Sequence, residues 1–112
     1  MKETNRPSQQ AMHDAAKAAA DVLRALSNDD RLLLLCQLSE GEASVGELEA
    51  ISGIRQPTLS QQLGVMRRLK LVETRREGKH IFYRVEDAKV LALLQTLYTL
   101  YCPKPEHQEA GE

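Results

Sequence analysis

The chain has no tryptophan, one phenylalanine and only two cysteines, Cys36 and Cys102. So few thiols exclude a disulfide-stapled scaffold, and two alone cannot complete a four-ligand zinc site. No stretch reaches the roughly 18 apolar residues of a membrane helix. The first 20 residues, MKETNRPSQQAMHDAAKAAA, contain no apolar stretch of a secretion signal. A cytoplasmic protein without a membrane partner is expected. Thiols are kept reduced in that compartment, and a cysteine pair there is more often reactive than structural. A Cys-x-x-Cys motif, a βαβ pattern and a serine–histidine constellation are also missing, so no enzyme is expected. The 112 residues, 42% of them hydrophobic, suffice for one core.

The net charge of −1 conceals a segregation. Residues 1–54 hold five Lys/Arg and nine Asp/Glu, residues 55–84 hold eight and two, and residues 85–112 hold two and five. A basic middle between acidic ends suits a polyanion-binding face, although charge alone equally describes a solvated surface.

Residues 1–10 and 103–112 are polar and are expected to be flexible tails around one domain at 11–102. Ala11 to Leu26 is alanine-dense, with Met12, Val22, Leu23 and Leu26 at helical spacing, which suits close packing on another helix or a second subunit. Ser27-Asn28-Asp29 offers caps for a buried helix from Asp30 to Leu38. Ser44 and Glu47 have capping-box spacing for a short helix to about Ile51. After the turn at 52–55, Pro57 suits the first position of a helix to about Lys70, with Leu59, Leu63, Met66 and Leu69 as its inward stripe. Two extended runs, Leu71–Arg76 and Ile81–Val85, are joined by Glu77-Gly78-Lys79-His80. Pairing Arg76 with Ile81 sets Glu73 opposite Arg84, a favourable cross-strand pair. A last helix from about Asp87 to Tyr101 carries an apolar stripe too wide for one contact, so it is expected to meet both its own domain and a partner chain.

The predicted fold is mainly α with a β-hairpin wing, a winged helix-turn-helix. The second helix of such a unit enters the major groove with its N-terminal side chains at the base edges. Gln56, Thr58, Ser60, Gln61 and Gln62 suit that position, since glutamine contacts adenine at two points and hydroxyls reach bases or phosphates. Arg67, with Arg68, suits the backbone, and Arg75, Arg76, Lys79 and His80 at the hairpin suit adjacent phosphates or the minor groove. Double-stranded operator DNA is the expected partner. A winged helix used only for protein contacts is the rival, but it would not need so basic a recognition segment.

The segments ALSNDDRLLLLCQL, SVGELEAISGIRQPTLSQQLGVMRRLKLVETRREGKHIFYRV and LYTLYC resemble the ArsR/SmtB family of winged-helix repressors. The likeness spans about residues 15–102 and is greatest to the sulfide-responsive branch of biofilm growth-associated repressors. The resemblance implies a homodimer through the first and last helices that blocks a promoter until its inducer arrives. It also implies one cysteine in the second helix and one at the end of the last, matching Cys36 and Cys102.

Metal-sensing relatives carry a Cys-x-Cys near the recognition unit or His/Asp ligands on the last helix. Here Ala43 to Leu48 has no thiol, the last helix has no histidine, and His13, His80 and His107 are scattered. No metal and no cofactor are expected. Cys36 alone would read as a small core residue, since free cysteine is among the most buried residue types. Together the two thiols are expected to form a dithiol that reactive sulfur species (persulfide or polysulfide) cross-link within one subunit, lowering operator affinity. The alternative is the same kind of repressor with another trigger: general thiol oxidation, haem at Cys102-Pro103, or metal.

Overall fold

Ser8 opens the first helix: its hydroxyl oxygen accepts the Ala11 N–H at 3.1 Å. In a computed structural model, which describes residues 5–103, that helix is α1 (Gln9–Leu26). It takes in Gln9 and Gln10, which composition alone assigns to the tail. Of the expected tails, residues 1–4 and 104–112, with His107, lie outside the described residues. Next come α2 (Asp29–Leu38), β1 (Ala43–Ser44), α3 (Val45–Ser52), α4 (Thr58–Arg68), β2 (Glu73–Glu77), β3 (His80–Arg84) and α5 (Ala88–Tyr101).

Side-chain caps define most helix starts, since a helix leaves its first N–H groups without intrahelical partners. Asn28 accepts from Arg31, Asp87 accepts from Lys89 and Val90, and Ser44 and Glu47 complete a reciprocal capping box. Gly53, at φ 74, ends α3 in the left-handed conformation that a Cβ disfavours. Pro57 precedes α4 as its N-cap instead of occupying its first turn, and α4 stops at Arg68 because Lys70 turns to φ 61.

The wing is a three-stranded antiparallel sheet in the order β1-β3-β2. The hairpin register matches the sequence expectation, with Arg76 opposite Ile81 and Glu73 opposite Arg84. The strands run closer to the tip than expected, leaving only Gly78 and Lys79 as the turn. The expected Glu73–Arg84 pair does not form, because Arg84 is held by Glu86 at 2.8 Å. β1 has no signature in the sequence: two residues carry no periodicity, and only β3 beside them makes them a strand.

Leu34, Leu35, Leu48, Leu59, Met66 and Leu94 are fully buried and join α2, α3, α4 and α5 into one core. Each such side chain contributes about 1.5–3 kcal/mol of apolar burial. In contrast, α1 buries only Leu26. The radius of gyration is 17.7 Å, against about 13 Å for a compact chain of this length. Val22 and Ala25 of α1 pack against the core near its C-terminal end, whereas Met12 and Leu23 are half exposed.

Candidate nucleic-acid interface and dithiol cleft

Leu59, Leu63 and Met66 turn one face of α4 into the core. At 100° per residue, Gln61, Gly64 and Arg68 therefore lie farthest from it, with Ser60 and Arg67 on one flank and Thr58 on the other. Ser60, Gln61 and Arg67 are exposed and Thr58 is half-buried. A Cβ on Gly64 would sit 3.6 Å from the Arg68 guanidinium, so the glycine leaves a low strip on the outward face over which Arg68 folds.

Two of the expected base readers are engaged within the protein. Gln56 accepts the Ser60 N–H at 3.0 Å through its amide oxygen and so caps α4. Gln62, half-buried, accepts Arg31 Nη1 at 2.9 Å. Sequence spacing could not separate these from Gln61, because all three are polar residues at the start of one helix.

In the wing, Arg76, Lys79 and His80 are exposed at the hairpin end. Arg75 differs. Its Nε and Nη2 donate to the two carboxylate oxygens of Glu42 at 2.8 and 2.9 Å, and Nη1 donates to Glu77 at 3.0 Å. Its guanidinium also covers the Phe82 ring, 4.5 Å from the centroid. The Arg75 hydrogen bonds hold the Glu42 carboxyl below the usual carboxylate range, and the two carboxylates push Arg75 the other way. Glu42 belongs to the acidic half of the chain, so folding removes part of the positive charge that counting assigned to the wing. The contact was illegible in sequence because the two residues are 33 positions apart.

Cys36 and Cys102 come together. α5 packs on α2, and both residues line one apolar cleft of about 420 Å³ with Asp29, Leu32, Leu33, Leu97 and Tyr101. Both are free thiols, Cys36 buried and Cys102 partly exposed. Burial pushes the Cys36 thiol up, and the charge of Cys102 adds to that shift. An electrostatic influence between residues 66 positions apart follows from this helix packing. Among the described residues, no group of three or more His, Cys, Asp or Glu converges as a metal site would require. No described helix is long and apolar enough to cross a membrane.

Residues 28–74, from the cap of α2 into the wing, match the description "Bacterial regulatory protein, arsR family". A biofilm growth-associated repressor of Xylella fastidiosa strain 9a5c is 51% identical over 104 residues, covering 91% of each chain. The chain belongs to the ArsR family. The crystal structure of the transcriptional repressor BigR from Xylella fastidiosa superposes with a TM-score of 0.78, covering 88% of this chain and all of that one at 51% identity. Reduced HlyU from Vibrio cholerae superposes at 0.77, with 39% identity over 84% of this chain and 99% of that one. The homodimeric winged helix-turn-helix domain of Mb0332 from Mycobacterium bovis superposes at 0.65, with 28% identity over 88% and 89%. This ArsR-family chain is thus a DNA-binding transcriptional repressor with a winged helix-turn-helix, of a family whose members are not enzymes.

Proposed function

We propose that this repressor releases its operator when reactive sulfur species cross-link Cys36 to Cys102 inside one subunit. The observation that carries the proposal is the cleft itself, where thiols from α2 and α5 share one apolar lining. Only a thiolate attacks sulfur. The Cys102 thiolate, more reachable, attacks the central atom of an organic trisulfide R–S–S–S–R, forming a new S–S bond and expelling one R–S⁻. The Cys36 thiolate then attacks the same atom and expels the second R–S⁻. The two cysteines are oxidised by one electron each, the donor is reduced to two thiolates, one sulfur stays in the bridge, and the thiol protons go to solvent. Each added sulfur lengthens the link by about 2 Å. A pair set slightly too wide for a plain disulfide therefore accepts polysulfide and resists peroxide.

The functional unit is a cytoplasmic homodimer. α1 leaves Met12 and Leu23 uncovered, and α5 leaves Leu100 and Tyr101 68% and 78% exposed, which a second copy would cover. Thr58, Ser60, Gln61 and Arg67 face the major groove, and Arg76, Lys79 and His80 reach flanking phosphates. Gln56 and Arg75 act by holding α4 and the wing in place. Pinning α5 to α2 moves the dimer helices and misplaces the two recognition helices. A coupling of about 1–3 kcal/mol between sites is enough to loosen the operator roughly five- to 150-fold.

Mass spectrometry of the reduced protein after treatment with organic trisulfide, diamide or peroxide, in parallel, tests the proposal. The expected product, specific to trisulfide, is an intramolecular bridge with two hydrogens lost and at least one sulfur gained. Equal bridging by all three reagents would favour general thiol oxidation, and no bridge at all would end the dithiol reading.

A further inference from the structure

Arg31 is a half-buried cation with no carboxylate partner among the described residues. It is bound instead by two neutral acceptors on two other helices. Its Nε donates to the Ala25 carbonyl at 2.5 Å, one of the last carbonyls of α1, and its Nη1 donates to Gln62 Oε1 on α4 at 2.9 Å. The last carbonyls of a helix lack intrahelical donors and carry the negative end of its dipole, so a guanidinium there is doubly favoured. Arg31 itself stands on α2, where Asp29, Leu32, Leu33 and Cys36 form the stripe that lines the dithiol cleft. One side chain therefore spans the interface-facing helix, the helix that carries a thiol, and the recognition helix.

We propose that Arg31 is a positioning residue that sets α4 against α1 and α2, and that Gln62 is the receiving end of this strut instead of a base reader. Because α2 moves as a rigid rod, displacement of its thiol stripe also displaces Arg31, and the planar guanidinium transmits the change to α4. This last step rests on the dithiol reading, whereas the placement of α4 in the reduced protein does not.

The test uses the full-length reduced homodimer and an operator selected in vitro from randomised duplex DNA. Gln62→Leu removes the acceptor, and Gln62→Glu restores a stronger one, since a carboxylate matches the guanidinium fork. Gln62→Leu is expected to weaken operator binding about tenfold, the effect of removing one charge-assisted hydrogen bond at a partly buried site. Gln62→Glu is expected to stay within about twofold of the parent, with the same selected sequence, because any weakening traces to the strut. A base-reading Gln62 would behave otherwise: the glutamate would bind as poorly as the leucine or select a different base at one position. Either result overturns the proposal. In an Arg31→Met background, Gln62→Leu should weaken binding no further; an undiminished effect there would also overturn it. Circular dichroism of each variant separates misfolding from misplacement. Treatment with dipropyl trisulfide then reads the coupling: Gln62→Leu should narrow the affinity ratio between untreated and treated protein, and an unchanged ratio contradicts the transmission step. If the parent itself shows no ratio, the dithiol reading fails, while the reduced-state comparison still decides the strut.

Discussion

Glu42 grips Arg75 through both carboxylate oxygens, at 2.8 and 2.9 Å, although one residue precedes β1 and the other lies in β2. β1 pairs with β3 by backbone, with Ala43 opposite Tyr83, and Glu42 adds a hold on β2. The segment leaving α2 therefore clasps both strands of the hairpin.

Arg75, committed to Glu42 and Glu77, should contribute little to phosphate binding. Arg75→Ala is expected to leave the salt dependence of operator affinity nearly unchanged. In contrast, Arg76→Ala or Lys79→Ala should flatten the log–log slope by about 0.9 for each phosphate that is no longer neutralised. Anisotropy titrations over a range of salt concentrations make the comparison. An equal flattening by Arg75→Ala would mean that the guanidinium leaves Glu42 for DNA.

Cys36→Ser and Cys102→Ser should each bind operator as the reduced parent does, within about threefold, and neither should release it on trisulfide treatment. Electrophoretic mobility shifts before and after treatment report both properties. Normal release by either variant would remove the pair from the mechanism.

The raised Cys36 ionisation links stability to alkaline pH. In the unfolded chain the thiol ionises near its ordinary value, about 8.5, whereas the folded protein retains the proton to higher pH. Between the two values the unfolded state binds fewer protons, so unfolding free energy falls as pH rises. The contribution is complete below about pH 8.5 and disappears as pH climbs through the elevated folded value. Urea titrations from neutral to alkaline pH should show this decline in the parent and a shallower one in Cys36→Ala.

Leu23, half exposed on the free face of α1, should be covered in the dimer. Leu23→Glu would place a charge in that interface, and sedimentation should show a shift toward monomer. Operator affinity should drop by more than about tenfold, since the two half-sites are then no longer gripped together. Unchanged sedimentation and binding would locate the interface elsewhere.

Local rules carry far in this chain. The capping box at Ser44 and Glu47, the inward face of α4 at Leu59, Leu63 and Met66 and the hairpin register are set by residues within a few positions of one another, so their pattern is visible before folding. Leu69, expected on the same face, instead falls at the C-cap where the helix ends and is exposed. Long-range partners are not. Gln56, Gln61 and Gln62 are equivalent by spacing, yet one caps its helix, one is exposed and one takes a bond from Arg31, 31 positions away. Arg84 matches Glu73 across the strands by register, but Glu86 lies nearer along the chain and holds it with two bonds.

The amino-acid order by itself determined the succession of helices and hairpin, the concentration of positive charge at 55–84 and the existence of just two thiols. Periodicity, capping and charge are properties of neighbouring residues, and they require no third dimension. The tertiary structure decided which arginines and glutamines are tied to other segments, and that Cys36 shares a cleft with Cys102. Those outcomes depend on the packing of α5 on α2 and of β1 on β3, contacts between distant segments that only the closing of the common core brings within reach.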